Sequence, residues 1–386
     1  MKYILIIGDG IADRPLKELG GKTPLQVAEH PNMDFIASHG SCGRLSTLPQ
    51  ELDTGTDVAI MSILGYDPRK FHTGRGSLEA ASIGVKLNEN DIAFRCNLIT
   101  ERNGILIDYS AGHIKTEEAR ELLRCVKDAY EKPREIEFFV GVSYRHLLVL
   151  KGNRYSNRIT CTPPHDALNK PISEILPREI DEKGVKTART LKKMIIASKD
   201  ILSDHPINRK RIEKGINPAN MIWPWGQGIK PKFQPFYDIH GIKGAVISAV
   251  DIVNGIGVFA GMDVIRVPGA TGYYDTNYEG KADYALESLK DHDFVLIHVE
   301  APDEASHIGD HNLKIKTIED LDKRLIGRVL NGLKGDHTIA ILPDHATPTE
   351  LRTHVRDPVP FAIFSTSQIK GDKVKHFDEV SVKKGS

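Results

Sequence analysis

An excess of charge of either sign is missing from this 386-residue chain, in which Lys+Arg and Asp+Glu both number 52. A balance of that kind gives no overall attraction to nucleic acid or to an anionic membrane surface. No Lys/Arg-rich tract or nucleic-acid motif offsets it locally, so neither partner is expected. Long apolar runs are also absent. No stretch approaches the roughly 18 apolar residues a membrane span needs, and the run before Gly8 is too short for a signal-peptide core. Cysteine is scarce: Cys42, Cys96, Cys125 and Cys161 lie far apart with no CxxC pair. Free thiols in a reducing, cytoplasmic compartment are expected, and a zinc–thiolate site is not. A GxxxxGK[ST] phosphate loop is lacking, and Gly8-Asp9-Gly10 has no third glycine to make a dinucleotide fingerprint.

What is present reads as α/β. The runs YILIIGDG (3–10), GAVISAVDI (244–252), DFVLIHVEA (293–301) and HTIAILPDHA (337–346) are Ile- and Val-rich and apolar on consecutive positions. That pattern predicts parallel strands covered on both faces. Between the last two, residues 313–333 place Ile318, Leu321, Leu325 and Val329 three or four apart, the spacing of a helix. Strand, helix, strand in this order gives a mostly parallel sheet flanked by helices. From about residue 85 the pattern shortens: IAFRCNLITE, GILIDYSAG, a helix at TEEARELLRCVKDAYE, then IEFFVGV and HLLVLKG. These predict a smaller α+β cap over 85–186, inserted into an α/β domain made of 1–84 and 187–386. A helix at 187–204 and a return to the main sheet at ANMIWPWGQG are expected after it.

Three of the predicted strands run into a carboxylate: Asp9, Asp303 and Asp344. Open α/β sheets bind ligands beyond the carboxyl ends of their strands, so the three acids are expected on one rim. His307, His345 and His354 accompany them. Such a carboxylate–imidazole set suits zinc or manganese, with ligands enough for two ions. Individually, Asp9 is equally a helix cap and His307 equally a satisfied core histidine. In ELDTGTDVAIMSILGYDP (51–68), Thr56 stands where a helix begins, beside free N–H groups and the positive dipole end. A hydroxyl there suits a phosphorylated intermediate, although Thr and Asp are also ordinary N-caps.

In order along the chain, GDG, GTD…LGYDP, PDEASH, PDHATPTELRTH and DPVPF resemble the cofactor-independent phosphoglycerate mutases of the archaeal type, within the alkaline phosphatase superfamily. The resemblance extends through HTGRGSLEAASIG (72–84) and VPGATGYYDTNYEGKADYAL (267–286) and is weakest in the insertion. It implies an alkaline-phosphatase-like fold and two divalent ions (Mn²⁺, Zn²⁺ or Mg²⁺). One would be held by Asp9, Thr56, Asp344 and His345, the other by Asp303, His307 and His354. Thr56 would take the phosphoryl group of 3-phosphoglycerate and return it to the 2-hydroxyl, with Asp57 positioning the substrate or moving a proton and with no bisphosphoglycerate required. The cap would bind the glycerate carboxylate and phosphate, for which forked arginines are suited. Arg95 and Arg145, with Arg75 on the core side and His165, are the candidates.

The chain departs from that pattern at three places. Thr56 replaces a serine, Ile60 replaces a histidine, and Asp53-Thr54 stand where an Arg-Pro pair is expected. ANMIWPWGQG also resembles a subgroup proposed to act as homoserine kinases. Three alternatives therefore accompany the mutase: an ATP-dependent kinase of a small hydroxy amino acid, a metal-dependent phosphatase, and a protein that binds metal and ligand without turnover.

Overall fold

The computed structural model describes residues 1–130, 135–367, 371–372 and 374–385. They form two compact units, one of Met1–His72 with Lys232–Ser386 and one of Thr73–Pro231. The chain enters the first unit with strands β1 (Lys2–Gly8) and β2 (Ser41–Leu45). In the second unit follow β3 (Ile92–Arg102), β4 (Ile105–Asp108), β5 (Ile136–Phe139), β6 (Arg145–Leu150), β7 (Ile159–Thr160), β8 (Arg178–Glu179) and β9 (Met221–Ile229). The first unit resumes with β10 (Gly244–Ile247), β11 (Asp263–Val264), β12 (Phe294–Val299), β13 (His337–Leu342) and β14 (Val359–Ser365).

The first unit is built on a seven-stranded sheet in the order β11-β10-β12-β1-β13-β14-β2. Its first five strands are parallel; β14 and then β2 extend it antiparallel. Central β1 pairs with β12 and β13 at once, Ile6 lying opposite Ile297 on one side and Ile341 on the other. Ile4, Ile6 and Ile7 are all buried, which is why the strand is apolar on consecutive positions. Each such side chain contributes about 1.5–3 kcal/mol by leaving water. The mostly parallel α/β sheet expected from the sequence is present.

Two local expectations are corrected. The strand read at 244–252 stops at Ile247, and a helix, Asp251–Phe259, begins within the same run. Ser248 turns the chain: its Oγ accepts from Val250 N–H and its carbonyl from Asn254 Nδ2. The helix read at 313–333 is His311–Asp320 and Gly327–Gly332 joined by a wider π turn, Leu321–Ile326. In that turn the buried Asp322 carboxylate accepts from the backbone N–H groups of Asn32 and Met33, at the start of the helix Pro31–His39.

The second unit carries an antiparallel sheet, β4-β3-β6-β5, in which β9 also pairs with β3. The helices Thr116–Tyr130 and Val185–Leu202 belong to this unit. ANMIWPWGQG thus adds to this sheet rather than to the main one. Trp223 and Trp225, two apart on one face, are buried with Ile99, Leu106 and Ile195 and leave β9 no reason to pair elsewhere. The unit reaches beyond the 85–186 segment on both sides. No helix among the described residues is long and apolar enough to cross a membrane.

Candidate active site

The carboxyl ends of β1, β12 and β13 lie side by side, and the residues that follow them meet. Asp9 directly follows β1 and is fully buried. Gly10 turns the chain at φ 62°, and a Cβ there would lie 2.5 Å from Asp303 Oδ1, so only glycine fits between the two acids. Asp303 sits in the first turn of the helix Ala301–Ile308, which places His307 one turn on, with Nε2 3.0 Å from Asp303 Oδ2. The pair is therefore a helical i,i+4 pair and not a strand terminus. Asp344 and His345 are fully buried after β13, and His354 reaches back to 3.6 Å from Asp303 Oδ1.

Hydrogen bonding decides which ring nitrogens face inward. A carbonyl only accepts, so His307 Nδ1 donates to Arg352 O and His354 Nδ1 to Thr54 O, both at 3.0 Å. Thr347 Oγ1 donates to Asp303 Oδ1 at 2.6 Å and so accepts from His345 Nδ1 at 3.1 Å. In their neutral forms all three imidazoles aim an Nε2 lone pair into the site. His307 Nε2 and His354 Nε2 are 3.0 Å apart. His345 Nε2 lies 3.2 Å from Asp344 Oδ2 and 3.5 Å from Asp9 Oδ1. Lone pairs and carboxylate oxygens crowded together are tolerable only around protons or cations.

The ionisation tendencies agree. Burial, then Asp344, Glu300 and Asp303, hold the Asp9 carboxyl well above the usual range. Burial also pushes Glu300 up to about 8. Burial opposes a charge on His307, but the hydrogen bond and charge of Asp303 outweigh it and hold the imidazole at about 9. Asp9 Oδ1, Glu300 Oε2 and Asp344 Oδ2 are buried without a hydrogen-bond partner. Orphaned buried carboxylate oxygens are costly unless a cation meets them. The sets Asp303–His345–His354, Asp9–His298–Asp344 and Asp9–Glu300–Asp303 each bring their ligand atoms within 4.8 Å of one another. The residues fit divalent cations.

Thr56 is buried at the first turn of the helix Thr56–Ile63, its Oγ1 3.3 Å from His345 Nε2. The N-cap is Gly55, with no side-chain cap, so the threonine hydroxyl is not spent on capping. Asp57 Oδ2 lies 2.8 Å from His72 Nε2. Ile60, where the resemblance expects a histidine, is packed in the core; His72 provides an imidazole to Asp57 from another position. Thr54, of the unexpected Asp53-Thr54 pair, supplies the carbonyl that orients His354.

Sequence reading missed His298, Glu300 and Lys281. A carboxylate only accepts, so His298 Nε2–H points to Asp9 Oδ2 at 3.1 Å, and the neutral ring's Nδ1 accepts from Ser248 Oγ at 3.2 Å. His298 thereby aims the other Asp9 oxygen into the site. Lys281 Nζ, buried, donates to His298 O at 3.0 Å, and burial lowers its pKa to about 8. The polar residues of FVLIHVE at a strand's carboxyl end were the available signal for the first two. For Lys281, on the helix Tyr278–Ser288, no local signal exists.

The four substrate candidates lie in the second unit, Arg75 included, so Arg75 is not on the core side as expected. Arg75 begins the helix Arg75–Ser82, which presses on β3 and β9: a Cβ on Gly74 would overlap the Gln227 carbonyl, and one on Gly76 the Ala93 carbonyl. Arg75 Nε and Arg95 Nη1 both donate to Glu79 Oε1, at 2.9 and 3.1 Å. Arg145 adds positive charge beside Glu79, and the His165 ring lies 5.3 Å from the Trp225 ring.

The model of the family described as 2,3-bisphosphoglycerate-independent phosphoglycerate mutase matches residues 37–208. Proteins of that name from Methanosarcina barkeri and Methanocaldococcus jannaschii (the latter numbered 1) are 53% and 39% identical. Each alignment covers 100% of this chain, and 96% and 93% of those relatives. A solved structure from Pyrococcus horikoshii shares 33% identity at a TM-score of 0.84, covering 100% of this chain and 92% of that one. The cofactor-independent phosphoglycerate mutase of Thermoplasma acidophilum shares 30% at a TM-score of 0.65, covering 100% and 95%. With whole-chain identity at this level, this chain belongs to the 2,3-bisphosphoglycerate-independent phosphoglycerate mutase family, an isomerase family.

Proposed function

We propose that this chain interconverts 3-phosphoglycerate and 2-phosphoglycerate through a phosphothreonine at Thr56, in a site built for two divalent cations. The observation that carries this reading is the buried Thr56 hydroxyl, unspent on capping, 3.3 Å from His345 Nε2 at a helix N-terminus. Asp9, Asp344 and His345 would hold one cation with Thr56, and Asp303, His307 and His354 the other. Mn²⁺, Zn²⁺ and Mg²⁺ are the candidates. Bound there, the cations would supply charge to offset the transferring phosphoryl oxygens.

The remaining work falls to the chain's own residues. Thr56 Oγ would attack phosphorus as the bond to the 3-oxygen of the glycerate breaks, the hydroxyl proton passing to that departing oxygen. Once the glycerate has shifted, its 2-hydroxyl attacks phosphorus, the bond to Thr56 Oγ breaks and the 2-hydroxyl proton returns to Thr56, so no bisphosphoglycerate is needed. The helix N-terminus favours the phosphorylated state. Asp57, in hydrogen-bond contact with His72, would hold the substrate or move a proton. Arg75, Arg95, Arg145 and His165 of the second unit would bind the anionic ends of the glycerate, making Thr73–Pro231 the substrate-binding unit. A cytoplasmic setting fits the four free cysteines.

The test is a phosphorus NMR time course with Mn²⁺-loaded protein and 3-phosphoglycerate, with peptide mass analysis of acid-quenched samples. Growth of the 2-phosphoglycerate resonance and a phosphate on the Thr56 peptide are expected. An unchanged substrate signal with metal bound would remove the mutase reading and turn attention to ATP with homoserine. Release of inorganic phosphate alone would make the protein a phosphatase.

A further inference from the structure

Arginines that bind an anion must be held, because each unfixed guanidinium loses side-chain freedom when the ligand arrives. Here the holding is visible. Arg95 lies opposite Trp225 in the β3–β9 register, and its Cζ is 5.2 Å from the indole centroid. Arg75 Cζ is 5.6 Å from the same ring, reached from the neighbouring helix. Glu79 Oε1 ties the two guanidiniums together, and Asn97 Oδ1 accepts from both Trp225 Nε1 at 3.0 Å and Arg95 Nε at 3.3 Å. The indole is thus fixed at its edge while its face carries two cations. Its neighbour Trp223 has its Nε1 on Thr162 O and is buried in the core. Between Arg95–Trp225 and the next pair, Ala93–Gly228, the ladder carries a bulge, where Gly226 sits at φ 61° and an added Cβ would lie 3.5 Å from Arg75 Cβ.

We propose that Trp225 is a positioning residue for substrate affinity: its indole face, with Glu79 as the tie, holds Arg75 and Arg95 in the planes that receive an anionic phosphoglycerate. This rests on the reading that those arginines bind substrate. A cation–π contact in a desolvated setting strengthens as the ring is enlarged and is lost with an aliphatic side chain. A ring that carries the binding cations also senses the arriving anion, so Trp225 emission reports binding.

The experiment compares Trp225→Leu, Trp225→Phe, Arg95→Met and the parent, all Mn²⁺-loaded, with 3-phosphoglycerate as the probe. In Trp225→Leu the KM is expected to rise about tenfold while kcat falls less than about threefold, and Trp225→Phe to recover most of the loss. In the parent, saturable change of tryptophan emission on adding 3-phosphoglycerate is expected, absent in Trp225→Phe although that variant still turns over. A KM in Trp225→Leu equal to the parent's, or an unchanged Trp225 emission at saturating substrate, overturns the proposal. If Trp225→Leu does not fold, the emission titration and Trp225→Phe decide it alone. Arg95→Met separates the two levels: a raised KM there with an unmoved Trp225→Leu leaves the arginines as substrate ligands and removes only the tryptophan's part. An unmoved KM in Arg95→Met removes the underlying reading.

Discussion

Thr56 carries a methyl group that serine lacks, and it does so in a buried pocket beside His345. Thr56→Ala is expected to lower turnover by about three orders of magnitude or more, since a nucleophile is lost and not merely a contact. Thr56→Ser is expected to stay within about tenfold of the parent, because the hydroxyl is kept and only crowding changes. A coupled assay on folded, metal-loaded variants checks both; a Thr56→Ala protein at full activity would sink the phosphothreonine. At this scale the sequence located acids and imidazoles that meet in space but not how they are oriented. Asp9, Asp303, His307, Asp344, His345 and His354 were all legible and do converge. Which nitrogen of each histidine faces inward depends on Arg352 O, Thr54 O and Thr347 Oγ1, and no pattern of neighbouring residues shows such acceptors.

Among the elements, the helix Arg75–Ser82 is placed by glycine. A Gly76→Ala change puts a Cβ onto the Ala93 carbonyl, which is backbone and cannot move cheaply. It is expected to cost about 1–3 kcal/mol, seen as a lower Tm, and to raise KM by shifting Arg75 and Glu79. A second element, the helix Pro31–His39, is latched through Asp34 to His30, His376 and the backbone of Phe377. Burial opposes ionisation of Asp34, but these partners outweigh it and hold the carboxyl at about 2. Asp34 in turn holds His30 above its ordinary value, against the opposing effect of burial. A depressed carboxylate stabilises the fold above its unfolded pKa near 4 and loses that contribution as pH falls toward 2. A raised histidine stabilises below about 6.5 and loses its contribution as pH rises through the folded value. The Tm gap between the parent and Asp34→Asn should therefore be widest from about pH 4 to 6.5 and narrow on both sides. Its depth is about 1 kcal/mol, since solvent reaches the carboxylate and screens the pair. A gap independent of pH would assign the effect to packing instead.

For the whole molecule, removal of the cations is the broadest test. Asp9, Glu300 and Asp344 carry buried oxygens without partners, an unfavourable arrangement that a bound cation would relieve. Chelation is expected to abolish activity and lower the Tm, and Mn²⁺ to restore both. A protein stripped of metal by elemental analysis yet unchanged in Tm and activity would contradict the metal site.

What the sequence determined by itself was local or periodic. Consecutive Ile and Val in YILIIGDG and HTIAILPDHA demand a covered parallel strand, and acids at strand ends must gather on one rim, because strands in a parallel sheet end together. What only the tertiary structure decided concerns partners distant along the chain. Whether β9 joins the main sheet or β3 is a choice between two hydrogen-bonding edges, which the buried side chains Trp223 and Trp225 settle and local pattern does not. The support of Asp9 by His298 and the closeness of Thr56 to His345 each span 289 residues. Such contacts follow from the order in which strands pair, and that order is fixed by packing summed over the whole sheet rather than by any stretch of residues within it.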